Sequence, residues 1–83
     1  MNNRIVERLK EINPDAMLID GMDRAVIGID EARGRAVYSV ELIIDELMAT
    51  HEWDRDVARE WYEFNRPIAD VGEYAPILVY NMI

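Results

Sequence analysis

Between Tyr62 and Tyr80 the chain passes from a helical pattern into a short apolar strand, and that switch limits the folds open to it. Asn65 tolerates the left-handed conformation that often closes a helix, and Pro67 prevents the helix from continuing. Ile77-Leu78-Val79-Tyr80 is apolar and β-prone with Pro76 just ahead of it, which predicts an edge strand or a strand start. A chain built this way ties its last element into the core. The linker carries Asn65, Asp70, Gly72 and Glu73, residue types that turns favour and that sites also use.

The preceding segments follow the same logic. Ile5, Val6, Leu9 and Ile12 fall on one stripe at helical spacing and predict a helix from about Asn3 to Ile12, capped by Asn2 or Asn3 and ended by Asn13-Pro14. Met17-Leu18-Ile19 reads as a short strand and Asp20-Gly21 as a turn. Ala25-Val26-Ile27-Gly28-Ile29 and Arg35-Ala36-Val37-Tyr38 flank Asp30-Glu31-Ala32-Arg33-Gly34 and predict a hairpin, with Gly34 in a left-handed turn position. Gly28 inside the first strand predicts a bulge or a close backbone approach, with a helix lying over it.

Ser39 is a good helix cap, and Val40, Ile43, Ile44, Leu47 and Met48 recur at three- and four-residue steps toward a core. The last helix is predicted from Asp54 to about Phe64, burying Val57, Ala58, Trp61 and Phe64 and showing Asp56, Glu60 and Glu63. The order is helix, strand, hairpin, two helices, strand. It predicts an α+β domain in which a small antiparallel sheet, the hairpin plus the C-terminal strand, packs against two to three helices.

At 83 residues the chain has room for one domain with a modest core, because so short a chain buries only about 60 to 65% of its unfolded surface. With 51% apolar residues it lies well above the disordered regime. The absence of cysteine excludes disulfides and thiolate zinc sites. The expected compartment is the cytoplasm, and no apolar run has the length of a signal peptide core or a membrane span. There is no GxGxxG or GxxxxGK[ST] phosphate loop, and no cofactor is called for.

Charge is uneven along the chain. The net is −8; residues 1–38 hold six Lys/Arg against seven Asp/Glu, a balance of −1, and residues 39–83 hold three against ten, a balance of −7. Such a surface repels nucleic acid phosphates and attracts basic protein surfaces. Glu41 and Asp45, four apart on one helix, form a like-charge pair that costs a few tenths of a kcal/mol. Glu41, Asp45, Glu46, Asp56, Glu60 and Glu63 are therefore the candidate interaction residues, able to imitate a phosphate array toward a basic partner. A solvated acidic face on an ordinary small domain gives the same pattern.

An enzyme would have to use Asp20, Asp23, Glu63, Asn65 and Glu73, which lie at turns and helix ends that could converge at one end of the sheet and bind Mg²⁺ or raise one another's pKa. Each of them also has an ordinary turn, cap or pairing role. His51 has no second His or Cys beside it. Trp53, Trp61, Tyr62, Tyr74 and Tyr80 are many large rings for a small core, so some are expected at the surface, where aromatic residues anchor interfaces and a homodimer becomes an option.

Asp20-Gly21-Met22-Asp23-Arg24-Ala25-Val26-Ile27-Gly28, Val37-Tyr38-Ser39, Glu63-Phe64-Asn65 and Val71-Gly72-Glu73 with Pro76 resemble a group of small uncharacterised proteins of tailed phages and prophages. Their pattern is roughly DGxDxAxIG, VY[DS], EFN and VGExxP. The resemblance covers about Leu18 to Tyr80. Asp70 stands where the pattern usually has an aromatic, and Met1 to Ala16 fall outside it. It implies a phage or prophage setting in a host cell and no mechanism. Phages carry many small proteins that bind and inhibit host enzymes, including defence systems with basic nucleic acid channels, and an acidic domain suits that task.

Overall fold

The computed structural model describes residues 4–65 and 72–80. Helix α1 spans Arg4–Ile12, strands β1 and β2 span Val26–Asp30 and Arg35–Ser39, helices α2 and α3 span Val40–His51 and Arg55–Asn65, and strand β3 spans Ile77–Val79. The caps predicted at Asn2 or Asn3, and Pro67 and Asp70 of the linker, lie outside the described residues. This is a small α+β fold.

The hairpin forms where the turn residues demand it. Gly34 has φ +68°, and its N–H donates to the carbonyl of Asp30 at 2.7 Å. The β1–β2 register is antiparallel, pairing Val26 with Tyr38 and Asp30 with Arg35, and it shifts between Val26 and Gly28. That shift is the predicted bulge. The helix expected over Gly28 is not there: a Cβ built on Gly28 meets nothing within 4 Å, so this glycine serves the bulge and not a backbone contact.

Strand β2 occupies the centre of a three-stranded sheet ordered β1-β2-β3. Most of the pairing is antiparallel, but β3 joins parallel to β2, with Val37, Tyr38 and Ser39 beside Ile77, Leu78 and Val79. The expected all-antiparallel sheet is thus mixed. A parallel neighbour needs a long crossover, and the connection through α2 and α3 supplies it.

Met17-Leu18-Ile19 is not a strand. The Met17 amide donates to the carbonyl of Tyr74 at 3.2 Å and the Ile19 amide to the Tyr38 hydroxyl at 2.9 Å, so these amides are satisfied without a sheet ladder. Asp20-Gly21 does turn the chain, with Gly21 at φ +77° and the Met22 amide bonded to the Ile19 carbonyl.

Ser39 ends β2 and begins α2 with no residue between, because its Oγ accepts from the Leu42 amide at 3.2 Å. Val40, Ile43, Ile44 and Leu47 then enter one continuous core with Val6 and Leu9 of α1, Ala36 and Tyr38 of β2, and Ala58 and Tyr62 of α3. Among the described residues no helix is long and apolar enough to cross a membrane.

Candidate interaction surface

Helix α3 has a wider apolar arc than the core accepts. At about 100° per residue, Phe64, Val57, Trp61, Ala58 and Tyr62 follow one another round its circumference. The core takes the far end of that arc: Ala58 is 0% exposed and Tyr62 5%. The expected buried set of Val57, Ala58, Trp61 and Phe64 is therefore wrong at three of its four positions, since Val57 is 42%, Trp61 37% and Phe64 89% exposed. Tyr62, one of the five large rings of which some are expected at the surface, belongs to the core.

The same rotation brings two arginines of α3 to α2. Arg55 and Arg59 flank the Tyr62 side of the arc and lean onto α2. Arg55 is bonded to Glu41 and lies 3.5 Å from Asp45, while Arg59 lies 3.4 Å from Glu41 and 3.8 Å from Glu63. Both arginines reach α2 in the orientation that turns Ala58 and Tyr62 inward. The small Ala58 side chain also allows close approach of the two helices. The sequence carried a signal for this: acids at 41 and 45 on one helix match arginines at 55 and 59 on the next, each pair four residues apart.

The same contacts correct the reading of Glu41 and Asp45 as an uncompensated like-charge pair. Glu41 is shared by two guanidinium groups, and Asp45 faces one of them. Glu46 accepts from the Thr50 hydroxyl at 3.4 Å. Of the six candidate acidic residues, Glu46, Asp56 and Glu60 have no ion pair among the described residues. Open negative charge is thereby moved off the Glu41–Asp45 face. Asp56 and Glu60 lie on α3 beside the exposed apolar arc.

That arc lines an open groove of about 380 Å³ formed by Trp53, Val57, Glu60, Trp61, Phe64 and Asn65. Both ends of α3 are fixed by polar residues. The Val57 amide donates to Asp54 Oδ1 at 2.9 Å, and Asn65 Nδ2 donates to the Trp61 carbonyl at 2.9 Å. Trp53, just before the helix, stacks on His51 with ring centroids 4.3 Å apart and lies 6.3 Å from Trp61. His51, solitary in sequence, thus packs against the indole bordering the groove.

The residues of the polar alternative have local places and partners. Asp20 is exposed at its turn and Asp23 is partly buried in the single helical turn Asp23–Ala25; Glu63 faces Arg59, and Asn65 bonds to its own helix. Among the described residues no three acidic or histidine side chains gather where they could hold a metal ion. Glu73 lines a second groove, about 460 Å³, with Ala32, Arg33, Arg35, Gly72 and Tyr74. There Asp30 lies 3.6 Å from Arg33 and 3.5 Å from Arg35. Among the described residues the buried Arg35 Nε has no hydrogen-bond partner.

No family model matches the chain, and no curated protein or solved structure matches it significantly. The surface has to be interpreted from its own chemistry.

Proposed function

We propose that this chain is a small interaction module that binds a partner protein through the aromatic face of α3. The observation that carries the reading is the 89% exposed Phe64, set beside exposed Val57 and Trp61 and the partly buried Trp53. A stable helix that leaves so much of its apolar arc in water forgoes hydrophobic stabilisation that a partner would recover. The −7 balance of residues 39–83 favours a partner with a basic surface. The resemblance to phage and prophage proteins favours a host or defence protein, met in the host cytoplasm, whose activity binding would inhibit.

The test is affinity capture from host lysate with three baits: the parent chain, Phe64→Ser, and the double variant Glu41→Gln with Asp45→Asn. A specific protein captured by the parent should be lost with Phe64→Ser and kept by the double variant. Loss only with the double variant would return the interaction to the acidic face of α2.

A further inference from the structure

Resting on the reading of the α3 face as a docking surface, we propose that its occupant is a basic amphipathic helix of the partner protein. Val57, Trp61 and Phe64 repeat at four- and three-residue steps and cover about 10 Å along the helix axis. Trp53 extends the strip beyond the helix start. A strip of this length accepts the i, i+3 or i+4, and i+7 side chains of a second helix. The open volume beside it, about 380 Å³, suits a few aliphatic side chains.

Charge selects the flanks of that helix. Residues 52–65 hold Glu52, Asp54, Asp56, Glu60 and Glu63 against Arg55 and Arg59. Both arginines are turned onto Glu41, Asp45 or Glu63. Glu60, which lines the groove, and exposed Asp56 beside it have no ion pair among the described residues. Lysine or arginine flanking an apolar stripe would meet them. A second copy of this chain is the poorer occupant, because a two-fold contact joins two identical faces that both carry the open acids Asp56 and Glu60 and no open base from α3, within two chains of net charge −8. An anionic membrane surface is repelled for the same reason.

The experiment uses two synthetic three-turn helical peptides with the same leucine stripe, one flanked by lysine and one by glutamate. Binding is followed by the fluorescence of Trp53 and Trp61. The lysine peptide should bind saturably and about tenfold or more tighter than the glutamate peptide, with the gap shrinking at high salt. Glu60→Lys should narrow or reverse the preference, and Phe64→Ser should weaken both peptides without moving the melting temperature appreciably. Equal affinity for both peptides, indifferent to Glu60→Lys, would overturn the basic helix while leaving the docking face standing. Binding that ignores Phe64→Ser would overturn the docking face itself. Absence of binding by either peptide would overturn the helical occupant, and a concentration-dependent dimer abolished by Phe64→Ser would replace it with a second copy.

Discussion

The hydroxyl of Tyr38, at the centre of the sheet, accepts the backbone amide of Ile19 at 2.9 Å, with both residues buried. One side chain thus joins the middle strand to the segment after α1 and satisfies an amide that has no sheet partner. Tyr38→Phe keeps the ring and orphans that amide. It should destabilise the chain by about 1 to 3 kcal/mol, measured by denaturant unfolding.

The same tyrosine sets an alkaline limit. Burial pushes its pKa above the ordinary value of 10.0; the Ile19 amide pulls it down in part, and the Asp23 carboxylate adds to the rise. The unfolded chain therefore loses the proton first as pH rises. The stability held by neutral Tyr38 is complete below the unfolded pKa and is lost as pH climbs through the folded one. Unfolding free energy should fall above about pH 10, and Tyr38→Phe should fall less steeply over that window.

Which face α3 buries is tested by a contrast. Tyr62→Ala should cost about 3 to 5 kcal/mol, as for other large buried rings, whereas Phe64→Ser should stay within about 0.5 kcal/mol of the parent. Equal costs at the two positions would mean that the helix is rotated otherwise.

Neutralising Glu41 should slightly weaken the fold, opposite in sign to the relief expected of a bare like-charge pair. Its partners Arg55 and Arg59 are 44% and 37% exposed, so solvent screening holds the effect to about 0.5 to 1 kcal/mol. A double-mutant cycle of Glu41→Gln with Arg55→Met should return a favourable coupling that shrinks with salt.

The two turn glycines should differ. Gly21→Ala meets no atom within 4 Å and carries only backbone strain, about 1 to 2 kcal/mol. Gly34→Ala adds a Cβ 2.7 Å from the Asn13 Cβ and 2.8 Å from the Nδ2 that donates to the Gly34 carbonyl, so that hydrogen bond must shift as well. It should be clearly the more costly of the two in a thermal melt.

The sequence made legible what depends on neighbours in the chain. Gly34 needed a left-handed turn, Ser39 needed a helix to cap, and the α2 stripe from Val40 to Leu47 had one way to face inward. Contacts between distant segments escaped it. Met17-Leu18-Ile19 is as apolar as a strand, yet Tyr38 and Tyr74 take its amides. The orientation of β3 depends on a crossover whose path no local signal encodes. On α3 the apolar arc was visible, but the part of it that meets the core is set by how the helix packs on α2, a contact between segments that no local pattern encodes. The exposed aromatic face is the part of the arc that this packing leaves out.

The most direct measurement is the solvent access of position 64 in the free chain. A single-tryptophan variant, Phe64→Trp with Trp53→Phe and Trp61→Phe, keeps the face aromatic and reports from that one site. The open docking face predicts emission close to that of a free indole in water and ready quenching by acrylamide. A blue-shifted emission that resists quenching would show the face to be covered within the chain itself, and would contradict the account.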